Sequence, residues 1–129
     1  AEGGCQAEIG SASAMAAAAL VWAKGGSAEQ SAQAVAITLK NMMGLICDPV
    51  AGLVEVPCVK RNALGSSQAF ISADMALAGI KSVIPADEVI AAMYQVGRQM
   101  PAIFKETAEG GLAMTPTAQR LTKELMGTE

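Results

Sequence analysis

From Ala7 to Lys24 the chain carries mostly strong helix formers, with Ala dominant, and then stops at Gly25-Gly26. That pattern predicts a helix closed by a C-terminal stop signal. Ser11, Ser13 and the alanines give this helix a small-residue surface that a neighbouring backbone can approach closely. Tight helix packing is the plainer use of such a surface, and a ligand contact the other. Alanine makes up about a fifth of the chain while aromatic residues make up 3%, which argues against a β-sandwich or small barrel. With 52% hydrophobic and 16% charged residues in 129, one helical domain can fill a core, and disorder is not expected.

The rest of the chain repeats the same grammar. Ser27 opens a second helix with Glu29 and Gln30 in its first turn, and Ala32, Val35, Ala36, Leu39, Met42 and Met43 recur at helical spacing until Gly44. Between Gly44 and Pro57 the turn signal Cys47-Asp48-Pro49 and the β-branched residues around Gly52 predict an irregular loop. A third helix is expected from near Val59 to Ala78. A fourth is expected from Pro85, at a first-turn position, to about Gln99. Lys105 to Ala113, with Gly110-Gly111, reads as a loop, and Thr115-Pro116 opens a last helix to about Met126 with Thr115 as cap. The scattered methionines are expected in the core. The fold class predicted is all-α: a compact single-domain bundle of about five helices with irregular cysteine-bearing loops.

Several function classes are excluded at once. The chain has no His, so no Ser-His-Asp, Cys-His or His-metal arrangement is built from its own residues. A net charge of −3 with no basic run argues against a nucleic-acid surface or a basic membrane-binding helix. The longest apolar run, Ala14 to Ala23, is too short and too Ala-rich for a membrane span. No secretion signal is visible, and a cytoplasmic location is expected. A chain opening on Ala1 and running directly into Glu2-Gly3-Gly4-Cys5 is expected to be a piece of a larger polypeptide.

Cys5, Cys47 and Cys58 are the only cysteines. Cys5 follows Gly3-Gly4, Cys47 precedes Asp48-Pro49, and Cys58 follows Pro57, so all three fall at loop–helix junctions rather than on a helix's apolar face. Cys5 and Cys58 also fall near expected helix N-termini, which favour thiolate. Zinc is disfavoured, because it takes four Cys or His ligands in closely spaced pairs, and the spacings here are long and unequal. Three thiolates without a fourth suit a [4Fe–4S] cluster with one iron left open. On spacing alone, three unrelated buried thiols remain the alternative.

The surroundings of each cysteine carry a resemblance. Glu2-Gly3-Gly4-Cys5-Gln6-Ala7-Glu8-Ile9-Gly10-Ser11-Ala12, Gly44-Leu45-Ile46-Cys47-Asp48-Pro49-Val50-Ala51-Gly52-Leu53-Val54 and Val56-Pro57-Cys58-Val59-Lys60-Arg61-Asn62-Ala63 resemble the three cysteine motifs of the iron–sulfur-dependent L-serine dehydratases. Lys105-Glu106-Thr107-Ala108-Glu109-Gly110-Gly111-Leu112-Ala113 resembles a further signature of that family, and order and gaps match up to about Ala113.

The resemblance implies the C-terminal portion of the catalytic (α) domain of such an enzyme, spanning residues 1–129. It implies conversion of L-serine to pyruvate and ammonia without pyridoxal phosphate. Cys5, Cys47 and Cys58 would hold three irons of a [4Fe–4S] cluster, and the fourth iron would act as Lewis acid on the serine hydroxyl. It also implies partners: the remainder of the catalytic domain, a β-domain or β-chain, and a homo-oligomer of the complete enzyme. In some members a C-terminal cysteine occupies the open iron; this tail, Leu125-Met126-Gly127-Thr128-Glu129, has none. The family's proposed base is a His, so here the base is a Lys, a carboxylate, or a group outside this chain. An iron–sulfur cysteine desulfidase using the same logic and a non-catalytic helical interaction fragment are the rival readings.

Arg61 and Asn62, directly after the third cysteine, are candidates to bind the serine carboxylate, against a plain solvated first turn. Lys105 and Thr107, before the Gly-Gly turn, are candidates to close over substrate or to brace the cysteine loops. Glu8 and Asp48 stand next to the ligand candidates, either orienting the loops or capping locally.

Overall fold

The computed structural model describes residues 2–127, so Ala1, Thr128 and Glu129 lie outside the described residues. Five α-helices follow one another: α1 (Cys5–Ala23), α2 (Ala28–Asn41), α3 (Cys58–Leu77), α4 (Ala86–Gln99) and α5 (Pro116–Met126). Three short 3-10 turns, Val50–Gly52, Ala102–Phe104 and Gly111–Met114, interrupt the connecting loops. No strand forms among the described residues; one isolated parallel bridge joins Cys47 to Lys105.

The helix ends follow local chemistry. Ser27 and Gln30 form a reciprocal capping box at the start of α2. The Thr115 side chain accepts from Ala118 N, with Pro116 in the first turn of α5. Two starts differ from expectation. α1 begins at Cys5 rather than Ala7, because Leu45 O accepts from Gln6 N at 3.0 Å and so satisfies a first-turn donor from outside the helix. Pro85 caps α4 in an extended conformation instead of occupying its first turn.

α1 packs against α2 and α3, α2 also packs against α3 and α4, and α5 lies on the Val50–Gly52 turn. Ala17 and Val21 of α1, Ala34 of α2 and Ala69, Ala73 and Ala76 of α3 form one buried cluster. The seam is tight because it is built from alanine. At Gly65 a Cβ would come within 2.5 Å of Ser13 Oγ and 2.7 Å of Ile9 Cγ2, so α3 crosses α1 at backbone distance there. The small-residue surface of α1 is therefore used for packing. Cys5 with Arg61, Ser13 with Gly65, and Ala17 with Ala69–Ala76 set α1 and α3 side by side in the same direction. Both helices consequently start at the same end of the bundle. The methionines divide: Met42 is 3% exposed, whereas Met15, Met114 and Met126 are more than half exposed and do not fill the core as expected.

Candidate metal centre

Cys5 is the first residue of α1, Cys58 is the first residue of α3, and Cys47 lies on the loop between α2 and α3. All three are free thiols and all three are buried. Cys5 Sγ, Cys47 Sγ and a carboxylate oxygen of Glu8 lie within 4.8 Å of one another. Cys58 stands outside this tight trio, but near enough to Cys5 for that thiol's charge to act on it.

Long-range contacts hold the Cys47 loop in place. Gln6, 1% exposed, accepts from Gly44 N at 2.9 Å through Oε1 and donates to Met93 O at 3.0 Å through Nε2. One side chain thus ties α1 to both the loop and α4. On the other side, Cys47 N donates to Phe104 O at 2.8 Å and Glu106 N donates to Cys47 O at 2.9 Å. These bonds draw the Lys105–Ala113 segment alongside the second cysteine.

Arg61 and Asp48 close the arrangement. Arg61 Nη1 donates to Ile46 O at 2.9 Å, lies 2.8 Å from Asp48 Oδ1 and stands 3.7 Å from Cys5 Sγ. Asp48 Oδ1 is out of line for a hydrogen bond, so that contact is an ion pair. Asp48 Oδ2 accepts from Leu112 N at 2.8 Å. Gly111 is required beside it: at φ +60° it takes a left-handed conformation, and a Cβ there would come 2.8 Å from Asp48 Cβ and collide with Oδ2. Asp48 is therefore a hub between three segments rather than a local cap.

Burial pushes the Cys47 thiol up to about 12, aided by its hydrogen bond to Cys5 and by the charges of Cys5, Glu8 and Glu106. The Cys58 thiol is also raised, by burial first and then by Cys5; Arg61 and its own backbone N–H partly offset this. Burial alone would lower Arg61, but Asp48 and Cys5 outweigh it and raise the guanidinium instead. Thiols raised in this way are neutral at pH 7, and a thiophilic cation binding them displaces protons.

Arg61 turns inward to its ion pair. Asn62 is exposed and lines a cleft of about 160 Å³ between α1 and α3, with Ser13 and Ser66. Lys105 is half-buried and joined through its backbone to Cys47. Thr107 Oγ1 contacts Ala102 O at 3.4 Å and Ile103 O at 3.3 Å, bracing its own loop. A larger cleft of about 370 Å³ between the start of α1 and α4 contains none of the thiols. Sequence reasoning does not single out Gln6, which carries no local signal beyond being a polar residue in the first turn of α1.

The family described as "Serine dehydratase alpha chain" matches residues 1–113, a span holding all three cysteines and the Gly110-Gly111 turn. The chain is 68% identical over 127 residues to the "Probable L-serine dehydratase, alpha chain" of Bacillus subtilis, covering 98% of this chain and 42% of that one. It is 56% identical to the "L-serine dehydratase, alpha chain" of Peptoniphilus asaccharolyticus, covering 98% and 43%. It is 48% identical to "L-serine dehydratase 1" of Escherichia coli, covering 88% and 25%. The chain thus spans about two-fifths of the length of the Bacillus relative. Identity and coverage do not bear out the expected C-terminal placement within the catalytic unit. A match over most of the chain, including every segment that meets at the thiols, shows that this chain belongs to the serine dehydratase alpha-chain family.

Proposed function

We propose that this chain is the part of an L-serine dehydratase that holds a [4Fe–4S] cluster on Cys5, Cys47 and Cys58, and that the complete enzyme converts L-serine to pyruvate and ammonia. The observation that carries the reading is the gathering of three free, buried thiols from three separate segments at the common starting end of α1 and α3. The donor set fits the group. Soft sulfur ligands suit iron–sulfur chemistry, and raised, neutral thiols give up protons to a strongly positive centre.

When bound, such a cluster supplies a Lewis-acidic iron that stabilises negative charge on a departing hydroxide. The chain's own residues do the rest of the positioning. Arg61 and Asp48 lock the Cys47 loop against Cys5 and the Gly111 turn. Asn62, one helical turn after Cys58, presents its amide to the cleft between α1 and α3, where the substrate's carboxylate or ammonium finds a polar partner. Lys105 and Thr107 keep their place beside the second cysteine as supports of the substrate side. The proton at Cα is taken by a carboxylate or Lys, or by a group outside this chain, since it has no His.

Exposed apolar side chains such as Val54, Val59, Phe70 and Ile71 call for cover. We assign that cover to the remainder of the catalytic unit and a β-domain or β-chain, in an oligomer of the complete enzyme. Three unpaired thiols suit a reducing compartment, the cytoplasm. Among the described residues no helix is long and apolar enough to cross a membrane.

The test is anaerobic reconstitution of the complete enzyme with iron and sulfide. A broad absorbance near ~400 nm and pyruvate release from serine are expected. Cys47→Ser is expected to lose both, because a hard oxygen replaces a soft thiolate. A Cys47→Ser enzyme with full iron content and turnover refutes the ligand set. Faster release of pyruvate and sulfide from cysteine than of pyruvate from serine favours the desulfidase instead.

A further inference from the structure

Three thiols leave a four-iron group one protein ligand short, and the chain contains no fourth Cys and no His to supply it. Glu8 stands one turn after Cys5 on α1, which places both side chains over the same end of the helix. Its carboxylate oxygen lies within 4.8 Å of both Cys5 Sγ and Cys47 Sγ. Its charge also reaches Cys58, which lies outside that trio. Cys5 and Cys47 are 1% and 3% exposed, whereas Glu8 is exposed, so the carboxylate is the solvent-facing member of the group. Among the described residues no cation forms an ion pair with Glu8. Lys24, Arg61 and Arg120 form ion pairs with Asp74, Asp48 and Glu124, and none of the three turns to Glu8. A carboxylate beside buried thiols gains most once a metal centre lies between them, because thiolates and carboxylate then share one positive centre.

We infer that Glu8 is an oxygen ligand to the iron that no cysteine reaches, and that it gives up this place to substrate. The inference rests on the cluster reading above. Carboxylate is the weaker partner for an iron otherwise surrounded by sulfur, so it suits a position that must be vacated. Its exposure puts that position where substrate arrives.

The experiment uses the complete enzyme, reconstituted anaerobically with Mössbauer-active iron. Iron content and the spectrum of the unique iron are followed during mild oxidation, with and without serine. Glu8→Gln is expected to assemble the same sulfide content. It should lose one iron on the order of tenfold faster than wild type, the scale at which ligand-shell changes alter metal retention. Its unique-iron spectrum should differ from wild type without serine and coincide with it when serine is bound. Glu8→Cys should restore iron retention while slowing serine turnover, which a merely structural carboxylate does not predict. Wild-type iron loss and an unchanged spectrum in Glu8→Gln overturn the inference, as does equally fast iron loss in Glu8→Cys. Wild-type enzyme that assembles no cluster overturns the cluster reading itself, so the two failures are distinguishable.

Discussion

Replacing Asp48 by Asn tests whether one buried ion pair holds the thiol loops together. The Asp48 and Arg61 side chains are 2% and 16% exposed, and their charges stand 2.8 Å apart. Removing one partner of a buried pair costs about 3–5 kcal/mol, because the other charge is left desolvated and alone. The Asn amide oxygen can still accept from Leu112 N, which saves about 1 kcal/mol of ordinary hydrogen bonding. Arg61 also keeps its bond to Ile46 O. The expected loss for Asp48→Asn is therefore about 2–4 kcal/mol. Urea unfolding of the metal-free chain, followed by far-UV circular dichroism, measures it. The double variant Asp48→Asn/Arg61→Met should be less unstable than the sum of its parts, with a coupling of about 1–3 kcal/mol. Amide exchange at Leu112 should quicken in Asp48→Ala and stay closer to wild type in Asp48→Asn, which separates the hydrogen bond from the charge. An Asp48→Asn chain within about 0.5 kcal/mol of wild type, with no coupling to Arg61, refutes the assignment of this pair as the hub.

Gly111→Ala should release the same hub from the other side, since its Cβ meets Asp48 and its φ of +60° disfavours any side chain; a loss of about 1–3 kcal/mol and faster Leu112 exchange are expected, and an unchanged midpoint contradicts the close approach. The raised Cys47 thiol gives the metal-free chain a pH dependence with a definite sign. The thiol rises from 9.0 unfolded to about 12 folded. Its contribution to stability is therefore fully present below pH 9.0 and is lost as pH climbs toward about 12. Denaturant midpoints across that window should fall more steeply for wild type than for Cys47→Ala; parallel curves refute the shift.

Much of the bundle was legible because it is local. Ser27 with Gln30, Thr115 with Pro116, and the glycines after α1 and α3 act within a few residues of themselves, so the helices fall within a residue or two of expectation. The same is true of the thiols. Gly4 and Pro57 interrupt the chain immediately before Cys5 and Cys58, so a place near a helix start follows from neighbouring residues, while the distant Leu45 O contact to Gln6 N decides that α1 begins at Cys5 itself.

Tertiary structure decided what those residues do together. Gln6 reads as one more polar residue of a first turn until the fold brings Gly44 and Met93 to it. Asp48 reads as a turn residue until Leu112, 64 positions away, donates to it. Arg61 was free in sequence to face solvent or substrate, and its ion pair with Asp48 turned it inward. Glu106 and Ala108 carry no glycine signal, yet both adopt positive φ in the loop that follows the Cys47–Lys105 pairing. Backbone propensity and capping are short-range forces and leave their record in adjacent residues. Buried ion pairs and loop-to-loop hydrogen bonds form only after distant segments meet and exclude water, so the residues that make them look ordinary until the chain is folded.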